Sequence, residues 1–425
     1  MHNSLPEAEE LKQDFLTKHH KEHKQKKKAR KASEKYSVDE RDVKMRRKEM
    51  LEMDRKGNDP DILVKYKQAR SKYDVQLQQD SIEPQELYQF VNSIRKPKHE
   101  VHPDILRQLP YDVDNCPDYP PTNYPMEFPL LDLLNNWNPN NISDTYRPKI
   151  YQGLCRFDHK TELHKALNYR KAEVPFLIRD DVEILKVVQR WNTPNYLSDI
   201  LGDTKYRTEY SESNSLMFFR ERRNGHRPND WQPPIKDVKL TYDEFVEKAS
   251  QELTDMGPDS PHWYFRVNAK GGTDHFMFQE LPFFLPQGNF YIVDSEDTRG
   301  INCRFGMSGN TAAAHFDGSR NFVMLFGGER RYILSHPRNC RSLGLYNKNH
   351  PSARHTAVNW GDPNLEEFPE FLKATANEVV LQAGDVLYLP TQWFHHIISQ
   401  DLNWQCNARS GITNHYQDEI KQCGF

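Results

Sequence analysis

The sequence predicts a mainly β domain that is preceded by helices and by a charged N-terminal extension. After Pro261, short β-branched and aromatic runs recur between glycine, proline, asparagine and aspartate residues, which is typical of a sandwich or barrel of antiparallel strands. Between residues 174 and 253, apolar residues recur at helical spacing. Residues 1–80 contain 21 Lys and Arg against 16 Asp and Glu, whereas the remaining residues contain 37 against 45. A basic extension therefore precedes an acidic body.

Residues 1–99 form the predicted extension, which we expect to be charged and helical or disordered. Its run KHHKEHKQKKKARK, residues 18–31, is either a patch for nucleic acid or nuclear import, or a solvated arm. The solvated arm is the preferred interpretation because most charge runs are of that kind. Ser37 and Glu40 have the spacing of a capping box, and a second helical pattern runs from Asp61 to Gln79.

Residues 100–160 form a predicted proline-rich connector that packs on the body. Nine prolines between residues 100 and 150 exclude long helices and central strands there. The run FPLLDLLNNW, Phe128 to Trp137, is apolar enough to dock as a short helix. Asn141 to Ser143 matches the glycosylation sequon, and without a secretory signal we expect this match to be fortuitous.

Residues 161–425 form the predicted folded body, with a barrel between about residues 261 and 411. The run VPFLIRD predicts a buried strand, and VEILKVVQRW and PNYLSDIL predict helices. Thr241 and Glu244 form a capping box for a helix that reaches Leu253. The predicted barrel strands are HWYFRV, NFYIVD, INCRFGM, NFVMLFG, RRYILSH, NEVVLQ, DVLYLP, HHIIS and WQCNAR.

The six cysteines are scattered and include no Cys-x-x-Cys pair. This spacing argues against a zinc ribbon and against a small disulfide scaffold, and favours a reducing compartment. No stretch approaches the roughly 18 to 20 apolar residues that span a bilayer, and residues 1–30 lack the apolar core of a signal peptide. We therefore expect an intracellular protein, cytoplasmic or nuclear, whose oligomeric state the sequence leaves open.

His-x-Asp/Glu pairs are the first candidates for metal ligands. Composition predicts roughly 2.6 such pairs by chance. The chain contains three, namely His20 with Glu22, His102 with Asp104, and His315 with Asp317. Only the third lies among predicted strands, where residues two apart project to the same face.

A third ligand for His315 and Asp317 is expected from the run GDVLYLPTQWFHHIIS, which contains His395 and His396. Taken alone, either histidine is as compatible with a role as a buried core residue as with a role as a metal ligand. Two histidines and one carboxylate on one face of a metal form the facial triad of non-haem Fe(II) oxygenases. The context therefore favours a metal site.

The span from about Val174 to Gly411 resembles the JmjC-type, cupin-fold dioxygenases that depend on Fe(II) and 2-oxoglutarate. It is most similar to their small hydroxylase branch, typified by the asparaginyl hydroxylase that inhibits hypoxia-inducible factor. The segments FGMSGNTAAAHFDGSRNFVMLFGGERRYILSHP, AGDVLYLPTQWFHHI and WQCNARSG are similar to the ligand pair with its flanks, the distal-histidine strand and the closing strand. The resemblance implies a double-stranded β-helix, or jelly roll, with flanking helices.

The resemblance also implies that His315, Asp317 and His395 bind Fe(II), with O₂ as a substrate. His395 fits better than His396 because the family ligand directly follows an aromatic pair, here Trp393-Phe394. We expect His396 to point to the opposite face of the strand.

For the cosubstrate 2-oxoglutarate, the resemblance implies a cation and hydroxyl donors at its far carboxylate. Arg330 stands where the family typically has lysine, and Tyr264 is similar to the carboxylate-binding tyrosine. Asn321 and Asn407 fall where the family places amides around the cosubstrate. Satisfying backbone groups at a sheet edge is their alternative role.

One departure from the family concerns a hydroxyl. Ala312 occupies the position of a threonine that commonly contacts 2-oxoglutarate. Thr311 lies one residue away and, in a strand, faces the other side. We therefore expect either weaker binding of 2-oxoglutarate or a contact transferred to Thr311.

By resemblance, the function is an oxygenase that hydroxylates a protein side chain and releases succinate and CO₂. Two alternatives stay open: a JmjC-type N-methyl-lysine or arginine demethylase, and a catalytically weak cupin-fold binding or scaffold protein. The intact triad argues against a scaffold. The expected partner is a protein substrate, and nucleic acid binding through residues 18–31 is not favoured.

Overall fold

The computed structural model describes residues 59–142, 146–221, 223, 227–250, 257–270, 272–287 and 289–425. The basic run at residues 18–31 and the capping box of Ser37 and Glu40 lie outside these described residues. The expectations for them therefore stay predictions.

Two antiparallel β-sheets dominate the described part of the chain. Their strands are β1 (Phe128–Pro129), β2 (Arg156–Asp158), β3 (Phe176–Arg179), β4 (Tyr206–Ser211), β5 (Ser215–Leu216), β6 (Lys236–Leu240), β7 (His262–Ala269), β8 (Thr298–Gly306), β9 (Thr311–Phe316), β10 (Asn321–Gly327), β11 (Glu329–Ser335), β12 (Thr375–Gln382), β13 (Val386–Leu389), β14 (Phe394–Ser399) and β15 (Asn403–Ser410). The smaller sheet has the order β1-β12-β11-β14-β9-β5, and the larger has the order β2-β3-β13-β10-β15-β8-β7-β4-β6. Two short pairings, β2 with β3 and β5 with β9, are parallel. The predicted mainly β, jelly-roll architecture is confirmed.

Helices flank the sheets. They are α1 (Pro60–Gln76), α2 (Pro84–Ile94), α3 (Pro103–Gln108), α4 (Leu130–Asn136), α5 (Leu163–Lys171), α6 (Val182–Trp191), α7 (Tyr196–Leu201), α8 (Tyr242–Ala249), α9 (Phe276–Glu280) and α10 (Gln417–Lys421). Helix α6 matches its predicted bounds, and α4 lies within the predicted FPLLDLLNNW segment. The capping box of α8 is present in full, with Thr241 and Glu244 satisfying each other's backbone N–H groups.

One predicted strand is wrong. Residues 289–294, the run NFYIVD, form turns in place of a strand. Tyr291 is buried there and its hydroxyl donates to Asp181 at 2.6 Å. The apolar run therefore anchors a loop through its side chains. Strands β4 and β6 are among the strands that were missed, because their sequences YRTEYS and KDVKL are too polar to indicate burial.

The space between the two sheets has an apolar end and a polar end. Leu325 of the large sheet and Leu334 of the small sheet belong to one buried cluster that spans both sheets. Along β15, the residues that face the same interior are polar: Asn403, Gln405, Asn407 and Arg409. Aromatic and aliphatic side chains on the outer face of the large sheet, such as Phe305, pack against the helices. The polar end is therefore where a ligand site is expected.

Helix α1 is held on the body by a buried carboxylate, Glu280, at the end of α9. Tyr66 and Arg70 of α1 donate to Glu280 Oε2, both at 3.0 Å. From the body, Arg190 donates to Oε1 at 3.1 Å and Tyr196 donates to Oε2 at 2.8 Å. Burial raises the pKa of Glu280, but the positive charges of Arg190 and Arg70 lower it by a larger amount. The pKa of Glu280 therefore lies below its ordinary value. This anchor joins part of the charged extension to the body.

The six cysteines form three disulfides, contrary to the reduced cysteines expected from their spacing. The pairs are Cys116–Cys155, Cys303–Cys406 and Cys340–Cys423. Cys303 and Cys406 lie directly opposite each other on β8 and β15. The partners are 39, 103 and 83 residues apart in sequence. Sequence spacing could not reveal these pairs because the fold, and not a local motif, brings the partners together.

Within the described residues, no helix combines the length and the apolar character needed to cross a membrane. Asn141 of the sequon is exposed, and Ser143 lies outside the described residues. The predicted division into segments 1–99, 100–160 and 161–425 stays a prediction.

Candidate metal centre and cosubstrate site

Strands β9 and β14 bring three candidate metal ligands together. His315 on β9 is paired directly with His395 on β14, and Asp317 follows the end of β9. The backbone N–H of Gln392 donates to the carbonyl of Asp317 at 2.8 Å, which holds this residue beside β14. One potential ligand atom from each side chain lies within 4.8 Å of the others. The predicted triad is therefore assembled in one place.

Hydrogen bonds set the tautomers of both histidines. His315 Nδ1 lies 2.8 Å from the carbonyl oxygen of Ala313, and His395 Nδ1 lies 3.0 Å from that of Trp393. A carbonyl can only accept, so each Nδ1 carries the hydrogen and each Nε2 keeps a free lone pair. Burial lowers the pKa of both imidazoles. Both rings are therefore neutral at neutral pH, as metal coordination requires.

Asp317 supplies the negative charge of the group. Its Oδ2 lies 3.9 Å from His395 Nε2 and 2.5 Å from Arg409 Nη2. Burial raises the pKa of Asp317, but the positive charge of Arg409 holds it well below its usual range. Two imidazole nitrogens and one carboxylate oxygen form a donor set that suits Fe(II), so the residues present fit the expected metal.

His396 points away from this group, as expected for its place on the strand. Its ring stacks on Trp360 with centroids 4.9 Å apart. Among the residues that the structure describes, neither of its ring nitrogens has a hydrogen-bond partner, and burial lowers its pKa to about 3. His396 is a neutral core residue on the outer face of the small sheet.

Arg330 lies on the inner face of β11 and is fully buried. Its Nη1 donates to the Tyr264 hydroxyl at 2.9 Å and to Gln405 Oε1 at 2.8 Å, and its Nε donates to Asn403 Oδ1. All of these partners are uncharged. A buried cation with only neutral partners is stabilised strongly by a bound anion. The structure thus brings Arg330 and Tyr264 together at a place that suits the far carboxylate of 2-oxoglutarate.

Asn321 and Asn407 are both buried, and Asn407 Nδ2 donates to Asn321 Oδ1 at 2.9 Å. The two amides thus bind each other, and each retains polar atoms for a ligand. Asn407 lies two residues from Gln405 and two from Arg409, on the same face of β15.

A β-bulge in β9 decides which residue faces the site. His395 pairs with His315, whereas Ile397, two residues on, pairs with Ala312, three residues back. The extra residue places Ala312 on the same inner face as His315. Thr311 pairs with Ile398 on the other face, and its hydroxyl donates to the carbonyl of Gly309 at 3.2 Å. Of the predicted cosubstrate residues, Thr311 is thus the one not brought to the site.

Strand β15 links the two ends of the site, a role that its sequence alone did not predict. Arg409 contacts Asp317 at the metal end, while Gln405 and Asn403 bind Arg330 at the other end. Four strand residues span about 13 Å, so β15 extends along the whole site. The signal was present in the alternation of polar and apolar residues in NWQCNARS.

Comparisons with known proteins agree with this architecture. Residues 163–416 match the family described as cupin-like domain. Human tRNA wybutosine-synthesizing protein 5 is 33% identical over 230 residues, which cover 53% of this chain and 67% of that protein. Lysine-specific demethylase 8 of Xenopus tropicalis is 32% identical over 136 residues, covering 31% of this chain and 30% of that protein. Lysine-specific demethylase JMJ31 of Arabidopsis thaliana is 26% identical over 132 residues, covering 29% and 24%.

The matched segments of the two demethylases are thus less than a third of those proteins, as are the segments matched in the mouse and chicken wybutosine-synthesizing proteins, at 26% and 31%. The family match, by contrast, covers more than half of this chain and includes both strands that carry the triad. The chain belongs to the cupin-like domain family of JmjC type.

Proposed function

We propose that this protein is an Fe(II)- and 2-oxoglutarate-dependent oxygenase that hydroxylates a protein side chain. The observation that carries the proposal is the group of His315, Asp317 and His395, of which Asp317 and His395 are buried, with both histidine tautomers fixed for coordination. Iron bound there would supply the activation of O₂, coupled to conversion of 2-oxoglutarate into succinate and CO₂.

The side chains of this protein would hold and orient the reactants. Arg330 and the Tyr264 hydroxyl would bind the far carboxylate of 2-oxoglutarate by charge-assisted hydrogen bonds. Asn407 lies between that end and the metal end along β15 and would orient the cosubstrate. Ala312 and Ile397 present apolar surface on the inner face beside His315, which would limit the access of water.

Demethylation of N-methyl-lysine is the second candidate, because several relatives are named lysine-specific demethylases. The charge of the site argues against it. Arg409 and Arg354 both lie near Asp317, and a methyl-lysine ammonium group would have to approach them. Like charges at such distances disfavour binding, so the geometry supports hydroxylation over demethylation.

The test is succinate release by anaerobically purified protein supplied with Fe(II), 2-oxoglutarate, ascorbate and O₂. Turnover uncoupled from a prime substrate is expected in the wild type and should be lost in His315→Ala and Asp317→Ala. Asp104→Ala is the matched control, because it removes the carboxylate of another His-x-Asp pair, one that is about half exposed. Equal activity in all four proteins would overturn the triad. If the wild type is silent, absence of both Fe(II) and 2-oxoglutarate binding would overturn the oxygenase proposal.

A further inference from the structure

Arginine side chains are concentrated around the metal end of the site. Arg409 reaches Asp317 from β15, and 29% of its side chain is exposed, against 8% for Asp317. Arg354 lies close enough to Asp317 for the two charges to favour each other. Arg304 on β8 pairs with Gln405 and faces the same interior, with its guanidinium carbon 5.9 Å from the centroid of the Tyr264 ring. Arg354 and Arg409 therefore lie at the buried carboxylate of Asp317, and Arg304 lies further along the site, towards Tyr264.

Each of the three has a buried guanidinium nitrogen without a hydrogen-bond partner in the described part of the chain: Nε of Arg354, Nε of Arg409 and Nη1 of Arg304. Their charges also act on one another. Arg304 and Arg354 both disfavour the charged form of Arg409, and Arg299 disfavours that of Arg354 as well. An arrangement of partly buried, mutually repelling cations is stabilised by a bound anion.

The backbone of Arg354 adds an independent observation. Its φ angle is 78°, in the left-handed region that a side chain of this size rarely adopts. Its carbonyl accepts from the backbone N–H of Phe316, and the next residue, His355, forms a β-bridge with the ligand His315. The strained residue is thus fixed beside the metal ligands, which is where proteins retain such strain for function.

The proposed oxygenase reaction does not account for these cations. One end of 2-oxoglutarate is assigned to the metal and its far carboxylate to Arg330. The negative charge that acts on Arg409 and Arg354 is that of Asp317, which a bound divalent metal would compensate. Positive charge at Arg304, Arg354 and Arg409 is therefore left for the substrate that is oxidised.

We propose that the protein side chain presented to the metal centre carries a carboxylate, which Arg304, Arg354 and Arg409 bind. This inference rests on the proposed function and names its substrate class, an acidic peptide. A guanidinium group matches a carboxylate with two parallel hydrogen bonds. A polynucleotide is a poorer fit, because it needs an extended basic surface. The residues after position 80 carry 37 Lys and Arg against 45 Asp and Glu, and these arginines form one confined group.

The experiment measures binding of blocked amino acids to the protein loaded with Mn(II) and 2-oxoglutarate. N-acetyl-aspartate amide is compared with its neutral isostere, N-acetyl-asparagine amide. Relaxation of the probe protons by Mn(II) reports both affinity and proximity to the triad, without any turnover. The expected result is at least tenfold tighter binding of the aspartate probe. The preference should fall at least fivefold in Arg354→Gln and in Arg304→Gln, and should be unchanged in the exposed Arg341→Gln.

The outcomes distinguish failure of the acidic-substrate inference from failure of the proposed oxygenase function. Binding of Mn(II) and 2-oxoglutarate is measured first, and failure of both in the wild type would overturn the oxygenase proposal. If both bind, equal affinity for the two probes overturns only the acidic substrate. A preference that survives in both arginine variants also overturns it.

Inorganic phosphate is the third probe, and its binding is measured by phosphorus relaxation. Phosphate binding tighter than that of the aspartate probe would reassign the site to a phosphorylated substrate. Retained Mn(II) binding shows that a variant is folded.

Discussion

Arg330 replaces the lysine that the related hydroxylases typically have, and its surroundings show how the exchange is accommodated. The longer, forked side chain is held by Tyr264, Gln405 and Asn403, all of which are hydrogen-bonding and uncharged. A lysine ammonium could not satisfy so many acceptors in one plane. The surroundings of Arg330 are therefore built by residues of β7 and β15.

Arg330→Gln is expected to weaken 2-oxoglutarate binding by about 10- to 100-fold, because one charge-assisted hydrogen bond contributes about 1.5 to 3 kcal/mol. Arg330→Lys keeps the charge and should weaken it less. The measurement is the dissociation constant of 2-oxoglutarate for the Mn(II)-loaded protein. Affinity for Mn(II) itself should stay the same in both variants. An unchanged dissociation constant in Arg330→Gln would place the far carboxylate elsewhere.

At this scale the sequence predicts the residues that lie in motifs and misses those that lie in loops. His315, Asp317 and His395 have a recognisable spacing and setting. Arg354 lies between β11 and β12, where no periodicity points to it, and only the tertiary fold brings it beside Asp317. Thr311 and Ala312 could not be assigned to faces with certainty, because the bulge in β9 depends on pairing with a strand some 80 residues later.

The N-cap residue of helix α9 is a histidine that acts as a hydrogen-bond acceptor. His275 is 3% exposed, and its Nδ1 accepts from the backbone N–H of Met277 at 3.1 Å. Only the neutral ring can accept, and burial lowers the pKa of His275 to about 4. The unfolded chain binds the proton near pH 6.5. The stabilisation is therefore complete above about pH 6.5 and is lost as the pH falls towards 4.

His275→Asn should make the stability less dependent on pH in this window. Asparagine keeps an oxygen acceptor at the N-cap but cannot titrate. The wild type is expected to lose about 3 kcal/mol more than the variant between pH 7 and pH 4, as the pKa shift implies. Urea unfolding at pH 7, 5.5 and 4 measures the difference. Parallel losses in the two proteins would exclude this histidine as a contributor.

Elements were predicted well where burial and periodicity coincide, as in β10 and α6. Elements were predicted poorly where contacts with distant parts of the chain, and not the local sequence pattern, decide whether a segment forms a strand. Residues 289–294 look like a strand because they are aromatic and apolar, yet Tyr291 uses that character to anchor a loop. The short strands β4 and β6 are polar, and their pairing with β7 and with each other decides their structure.

At the scale of the whole molecule, Glu280 joins α1, α6 and α7 through one carboxylate. Glu280→Gln keeps the shape but leaves Arg190 without its anion, whereas Arg70 retains only Asp74. The expected loss of stability is about 3 to 5 kcal/mol, the typical cost of breaking a buried ion pair. Urea unfolding measures it, and limited proteolysis should show earlier cleavage within α1. A loss no larger than that of the exposed pair variant Glu370→Gln would contradict the anchor.

The three disulfides connect distant parts of the fold, and each should add about 2 to 4 kcal/mol through the long loop that it closes. Denatured, unreduced protein should incorporate no alkylating reagent, whereas reduced protein should incorporate six equivalents. Reduction should also lower the Tm. Alkylation of the unreduced protein would contradict the pairing. Such bonds are typical of oxidising compartments, and the compartment expected from the sequence stays a prediction.

The cross-strand pair Cys303–Cys406 has a practical consequence for any study of the site. It fastens β8 to β15, and these two strands carry Arg304, Gln405 and Arg409. Protein produced in the cytoplasm of an ordinary bacterial strain would lack this link. In that protein, β8 and β15 would be joined only by the hydrogen bonds of the sheet. The choice of host thus becomes an experimental variable, and weak activity in a reduced preparation would reflect the host as much as the residues.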